Sequence, residues 1–371
     1  MSRSFRSLVL SILLVSLACL MTFSCTDHIN PPDEPDVAET IYVGSNDGKL
    51  YAFDAETGAK KWSFATGSYI ESSPTVVNGT VYMASEDNKL YAIDATTGTK
   101  KWEYTTGNAI YSTPTVVDEV VYVGSRDNRL YAIEAATGTK KWDFVTNASI
   151  ESSPTLFNGI VYIGSGDSKL YAIDALTGKK KWDFTTGSGV NSSPAVVNGI
   201  IYVGGDKLYA LDPATGVEKW RFTESYYFYS CPTVVNGTVY VGSDGVKLYA
   251  IDAVTGAKKW DFTTGFFVRS SPVTVEAVVY VGGLNGILYA LDATTGTRNW
   301  EFSTGGAVFS SPTVVNKIVF VGSLGRKLYA VDATTGIKKW EAVTDGPILS
   351  SPCVVTKKGV VYHPGISGDQ Q

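Results

Sequence analysis

Hydrophobic and polar positions alternate along this chain in short runs, and the runs recur in a fixed order. Each cycle reads close to SSPTVV, then TVYVGS, then KLYAID, then KKWDF, with Gly, Asn and Asp between them. Val, Ile, Tyr and Trp dominate the runs, and period-2 alternation of such residues predicts half-buried β-strands. The first two runs are joined by Asn78-Gly79, Asn158-Gly159, Asn198-Gly199 and Asn236-Gly237. Asn-Gly between apolar runs predicts a type I′ hairpin, because both central residues need positive φ.

The cycle has a fixed length. Its Trp residues are Trp62, Trp102, Trp142, Trp182, Trp220, Trp260, Trp300 and Trp340, spaced by 40 residues except for one interval of 38. A period near 40 predicts a propeller or solenoid rather than unrelated domains. Four strands in each of eight units give an all-β fold, an eight-bladed β-propeller of four-stranded antiparallel blades. Residues 41–67 supply the second to fourth strands of a blade but no first strand, whereas Ser350-Ser351-Pro352 opens a first strand that no fourth follows. The C-terminal strand, residues 350–356, is therefore expected to complete the N-terminal blade and close the ring, removing its exposed edges. Val360-Val361-Tyr362 repeats the second-strand pattern and competes with Ile41-Tyr42-Val43. The N-terminal copy is expected to win.

The chain outside the repeat has another character. Arg3 and Arg6 precede an apolar run over residues 8–23, a pattern that predicts a secretory signal over residues 1–24. An uncleaved anchor is the competing reading. Cys19 and Cys25 each follow a small residue, as the lipid-modified Cys of a bacterial lipobox does, although Ser16 and Thr22 stand where Leu is usual. Cys25 fits better by position, and Cys19 stays open as the alternative. Residues 25–39 hold Pro31, Pro32 and Pro35, acids, and no Lys or Arg, which predicts an extended tether. The propeller is expected over residues 40–365, with a tail over 366–371. The chain is thus read as exported and lipid-anchored to the outer membrane or cell surface, with plain secretion as the alternative.

Charge narrows the function classes. The net charge is −5 and there is no basic run, which argues against a nucleic-acid partner. Membrane contact is expected only through the lipid. His28 and His363 are the only His residues, too few for a His-rich metal site or a conventional Ser-His-Asp triad. Neither a cofactor nor a metal is expected, and the ring is expected to be monomeric.

The segment from Tyr91 to Trp102 and its copies resemble the tryptophan-docking repeat of the PQQ-like propellers. The pattern A-x-D-x-x-T-G-x-x-x-W matches at Ala52, Asp54, Thr57, Gly58 and Trp62 and recurs around the chain, with Glu134 once replacing the Asp. One copy is two residues short, at Val203-Gly204-Gly205-Asp206-Lys207. The family includes quinoprotein alcohol dehydrogenases, outer-membrane assembly lipoproteins of the BamB type, and surface proteins without an assigned ligand. A lipobox-like start with eight blades is most similar to the last two groups. The dehydrogenases carry long insertions, a vicinal Cys pair and acidic calcium ligands, and this chain has neither the insertions nor a Cys-Cys. The resemblance thus implies a non-enzymatic binding or scaffold propeller with a protein or peptide partner in the envelope. A carbohydrate- or polymer-binding surface protein is the alternative, and a quinone-dependent dehydrogenase is a third reading.

Repetition sorts the candidate residues. Eight identical indoles are structural, each expected to pack over the Thr-Gly turn of a neighbouring blade. The repeated Asp54, Asp94, Asp174, Asp212, Asp252, Asp292 and Asp332 read as turn-forming acceptors, since an acid–base pair needs unlike environments. Cys231 and Cys353 fall three blades apart and are expected to remain unbonded. The informative positions are those that differ between copies. The residue leading into the first strand runs Glu71, Tyr111, Glu151, Asn191, Tyr229, Arg269, Phe309 and Leu349. Tyr226, Tyr227, Phe228, Phe266 and Phe267 add an aromatic sector. These residues are expected to form a partner-binding channel mouth, while the face of Asp-Ala-x-Thr-Gly turns is too uniform to discriminate. Drift under weak constraint, with rim packing, is the competing explanation of the variation.

Overall fold

Each predicted run forms a strand. In the computed structural model, which describes residues 38–362, the runs Thr75–Val77, Thr80–Ala84, Lys89–Asp94 and Lys100–Thr105 lie side by side in that order. Cys19, Cys25, the signal segment, the tether up to residue 37 and the tail lie outside the described residues. Asn78 and Gly79 take φ of 48° and 67°, the geometry that Asn-Gly supplies at least cost. That turn fixes the register: Val76 faces Val81, Val81 faces Ile93, and Ala92 faces Trp102. The pattern repeats in eight antiparallel sheets, and the protein is an eight-bladed β-propeller. Blades are numbered here by their Trp, from Trp62 in blade 1 to Trp340 in blade 8.

The core lies between the blades. The middle strands of each sheet are buried on both faces, because alternate residues point to opposite neighbours. From blade 2, Tyr91 and Ile93 pack with Leu50, Ala52 and Ile70 on one side. Leu90 and Ala92 pack with Val121, Val123 and Ile133 of blade 3 on the other. Eight such slabs go round the ring. In an open array the two end blades would each leave a slab uncovered.

The ring closes as the strand count requires. Cys353–Thr356 pairs with Ala38–Ser45, placing Val354 opposite Ile41 and Cys353 opposite Tyr42. The slab between blades 8 and 1 then contains Phe320, Leu328, Val43 and Tyr51. The N-terminal copy takes the second-strand position, but its competitor is not expelled. Val361–Tyr362 pairs on the other edge of the same strand, with Val354 opposite Tyr362, so the closing sheet has five strands. An inner strand has two edges, and the contest predicted between the two copies resolves because each takes one.

A second circuit runs around the inner strands. The backbone N–H of Ser73 donates to Thr113 Oγ1 of the next blade at 3.2 Å, and Thr113 N–H to Ser153 Oγ at 3.0 Å. The chain continues through Ser193, Cys231, Ser271 and Ser311 to Ser351. It closes when Ser351 N–H donates to Ser73 Oγ at 2.9 Å. Cys231 is the one thiol acceptor in this circuit, at 3.4 Å. Neither Cys231 nor Cys353 is in a disulfide.

The outer contact is the indole. Trp62 Nε1 donates to the Ala95 carbonyl of blade 2 at 3.2 Å, and the Tyr42 hydroxyl donates to the same oxygen at 2.9 Å. The ring covers Gly98, where φ is +71° and an added Cβ would lie 2.7 Å from the indole. The same geometry recurs blade by blade and ends with Trp340 Nε1 on Ala55 at 3.1 Å and its ring over Gly58.

Two predictions follow from this packing. Gly98→Ala and Gly79→Ala both place Ala at positive φ in one blade, but nothing lies within 4 Å of an added Cβ at Gly79. Gly79→Ala should cost about 1 kcal/mol from backbone strain alone. Gly98→Ala should cost ~2–4 kcal/mol, because the indole must also shift; denaturant titration of both variants reads the difference, and equal costs would refute the docking contribution. The second concerns Thr274, a buried residue whose hydroxyl has no hydrogen-bond partner among the described residues. The corresponding positions are Val76, Val196 and Val314. Thr274→Val should raise stability by about 1 kcal/mol, seen as a higher Tm, and a lower Tm would show that the hydroxyl is satisfied in solution.

Candidate functional site

The first strands run away from one end of the channel, so the lead-in residues share that end. Each stands two positions before a member of the closed hydroxyl circuit, as Glu71 does before Ser73. The turns between second and third strands lie at the same end, and they supply partners that the repeat pattern alone did not reveal. Asn46 Nδ2 donates to Glu71 Oε1 at 3.4 Å. Arg126 Nε donates to Glu151 Oε1 at 2.8 Å. Arg269 makes a bidentate pair with Asp244, at 3.0 and 2.8 Å.

All three pairs have the same offset, 25 residues. Each joins a turn of one blade to the lead-in residue of the next. Read along the chain at that offset, the remaining positions are Glu86 with Tyr111, Gly166 with Asn191, Leu284 with Phe309, and Leu324 with Leu349. Glu86 meets a polar Tyr, Leu284 and Leu324 meet apolar residues, and Gly166 leaves Asn191 without a side chain opposite it. Matching at a fixed offset is the signal in the sequence that would have found Asn46, Glu86, Arg126 and Asp244.

The predicted site residues gather in two clusters. In the first, the Arg126 guanidinium lies 4.0 Å from the centre of the Tyr111 ring and is tied to Glu151, with Glu71 and Glu86 close enough to act on one another. Burial and the neighbouring Glu86 push the Tyr111 hydroxyl up to about 12. Burial, then Glu86, holds the Glu71 carboxyl above the ordinary carboxylate range. In the second, the Arg269 guanidinium lies 4.7 Å from the Tyr229 ring centre and 5.6 Å from that of Phe267. The two clusters use the same device with charges exchanged: the turn gives Arg and the lead-in Glu in one, Asp and Arg in the other. Asn191 and Phe309 are half-buried and join neither.

Three expectations change. Phe228 is not a mouth aromatic; it is 1% exposed and occupies the core position held by Ile70 and Val268 in other blades. Arg269 is not a loose rim cation, since the Asp244 side chain it neutralises is only 12% exposed. The turn face is less uniform than its motif, because Leu176 and Val254 protrude there, 83% and 73% exposed. Tyr69, 53% exposed, joins Tyr226, Tyr227, Phe266 and Phe267 as a protruding mouth aromatic.

The repeated carboxylates sit in turns. Asp54 Oδ1 accepts from the Glu56 and Thr57 N–H groups and from the Thr57 hydroxyl, at 3.2, 2.9 and 2.8 Å. The other six Asp residues of the series bond their own Thr in the same way. Among the described residues, no group of three or more His, Cys, Asp or Glu is placed to hold a metal ion.

A ring of eight four-stranded blades, each docked on the next through one indole, is a tryptophan-docking β-propeller. The chain belongs to the family described as outer membrane protein assembly factor BamB, whose model matches residues 35–112, 107–190, 183–274 and 263–369. Among solved structures, BamB from Moraxella catarrhalis is similar at 19% identity and TM-score 0.67, over 79% of this chain and 95% of that one. The computationally designed Ika8 protein is similar at 17% identity and TM-score 0.68, over 80% and 96%. A europium-containing methanol dehydrogenase is similar at 16% identity and TM-score 0.70, over 81% and 83%. At such identities these likenesses concern the fold alone. No curated protein matches.

The raised Glu71 carboxyl gives a pH test. The folded protein holds this proton more tightly than the unfolded chain does. The destabilising effect of the charged form is therefore present at neutral pH and relieved as pH falls through the raised folded value. Below the ordinary 4.5 both states are protonated. Glu71→Gln, which keeps an acceptor for Asn46, should raise Tm at neutral pH, and the gain should vanish below pH 4.5. A gain that grows on acidification would reverse the assignment.

Proposed function

We propose that this protein is a non-catalytic docking scaffold of the cell envelope, held to the membrane through lipidated Cys25, that takes a protein or peptide partner on its mouth. The observation that carries the reading is the mouth itself, where the lead-in residue varies between blades on an otherwise repeated frame. Rigid rings with exposed aromatics supply contact area at low entropic cost. Tyr69, Tyr111, Tyr229 and Phe267 provide such area, with Glu71, Glu151 and Arg269 to orient a partner. Membership of a family named for outer membrane protein assembly supports an envelope role.

The likeness to a methanol dehydrogenase, and to the quinohemoprotein alcohol dehydrogenase from Comamonas testosteroni at TM-score 0.67, keeps a quinone enzyme as the second reading. The residues fit it poorly: no vicinal Cys pair occurs in the chain, and no three-donor metal cluster exists among the described residues.

Crosslinking in envelope extract, with partner peptides mapped by mass spectrometry, tests the docking face. Tyr69→Ala with Phe267→Ala should weaken capture by ~1–2 kcal/mol per side chain. Leu176→Glu with Val254→Glu, on the turn face, should leave capture intact. The reverse pattern would move the site to the turn face. Calcium-dependent dye reduction on addition of the quinone would establish the enzyme reading instead.

A further inference from the structure

The blade 5 to blade 7 sector of the mouth departs from the repeat in several ways that fit together. In most blades a turn Asp binds the hydroxyl of the third-strand Tyr, as Asp87 binds Tyr91 at 2.6 Å. In blade 6 this position is Gly245. The Tyr226 ring lies against it, so close that an added Cβ would be 2.7 Å from Tyr226 Cδ2. Glu224, which stands where the other linkers carry Thr, lies close enough to Tyr249 to raise its hydroxyl after burial has done so. Blade 5 is also two residues short at its turn, Gly205-Asp206. That deletion removes the residue that would stand 25 positions before Tyr229, opposite this lead-in. The sector holds the Tyr226 ring against Gly245 and leaves Tyr229 without a turn residue opposite it.

Its chemistry selects a ligand class. Arg269, over the Tyr229 and Phe267 rings, is neutralised in place by Asp244, and Lys247, over the Tyr249 ring, is paired with Asp261, so these rings offer no free cation among the described residues. Tyr226 and Phe266 expose more than half of their surface. The Tyr226, Tyr227 and Tyr229 hydroxyls make no hydrogen bond to described residues, whereas core Tyr hydroxyls such as that of Tyr240 bond a carbonyl. Flat apolar faces edged by unpaired hydroxyls, beside a charge-balanced fork of donors and acceptors, complement a molecule with apolar faces, hydroxyl edges and no charge. A sugar ring has that make-up, and an acidic peptide would meet no free cation there.

We propose that this sector binds a neutral glycan, with Tyr226 and Phe266 stacking on sugar rings and the Tyr227 and Tyr229 hydroxyls meeting the sugar hydroxyls. The site is additional to partner docking and is tested separately. Calorimetric titration of the purified full chain with cellohexaose, maltohexaose and chitohexaose, at low and high salt, should find binding to at least one. That binding should be insensitive to salt, because the hexaoses carry no charge. Tyr226→Ala with Phe266→Ala should lower the affinity at least ~tenfold at unchanged Tm, and Leu176→Ala on the opposite face should not. Absence of binding to all three hexaoses, or binding that survives the double substitution, would overturn the proposal. Loss of partner crosslinking in the Tyr226/Phe266 variant, with no hexaose bound, would make the sector part of the protein interface instead. None of these outcomes decides whether Tyr69 and Phe267 capture a partner.

Discussion

An indole lying on the next blade's Thr-Gly turn is the contact on which the remaining architecture rests. It joins two sheets that share no backbone ladder, and it does so where only Gly leaves room, as at Gly98 beneath Trp62. In seven of the eight blades its N–H shares a carbonyl with a Tyr hydroxyl from the same blade, so those turns are held by a ring, two donors and the slab behind them. Because these contacts and the apolar slabs all lie between blades, a single blade has almost no core of its own. Stability is a property of interfaces, and the interface between blades 8 and 1 is lost unless the ring closes. The pairing of Cys353–Thr356 with Ala38–Ser45 is thus a condition for the fold and not an embellishment of it.

A frame whose contacts repeat so closely lets other positions vary independently. The hydroxyl circuit from Ser73 to Ser351 tolerates Cys231 at one step. The Tyr–carbonyl bond is dispensable in blade 8, where Phe320 replaces the Tyr and still packs 5.9 Å from Trp340. At the mouth, variation goes further and becomes coordinated. The exchange of Arg126–Glu151 for Asp244–Arg269 keeps a Tyr-backed ion pair while reversing its direction. Where the turn loses its carboxylate at Gly245, a linker carboxylate, Glu224, stands close enough to Tyr249 to act on its hydroxyl. Paired substitutions of this kind mark positions where the local geometry has been kept and the surface has been changed.

The fold was legible because its determinants are local and repeated. The Trp spacing counts the blades, Asn-Gly sets the hairpins, and the missing first strand before Ile41 announces the closure. The fifth strand at Val361–Tyr362 was only half legible, since sequence pattern ranks two candidates for one place but does not reveal a second edge. Phe228 was misassigned for a related reason. Four consecutive aromatics from Tyr226 to Tyr229 hide the alternation that separates core from surface, and only alignment with Ile70 and Val268 restores it. The site was less legible than the fold because each mouth contact joins residues 25 apart on different blades. A position-by-position comparison of copies shows that Glu71 or Arg269 is individual, but not that Asn46 or Asp244 answers it.

The fold is shared by an assembly factor, dehydrogenases and a designed protein, so the ring by itself specifies no chemistry. What distinguishes this chain must lie in side chains that the docking contacts leave free. Those contacts occupy the turn face and the outer wall, where Asp54 and its counterparts are committed to their own Thr residues and Trp62 and its counterparts to the next blade. At the mouth, the lead-in residues answer only to one turn residue each. That single constraint is weak enough to permit six kinds of residue among the eight lead-in positions and strong enough to hold each in a defined place. Specific recognition needs both properties at once, variety and fixed position, and in this molecule the mouth has the fullest combination of the two.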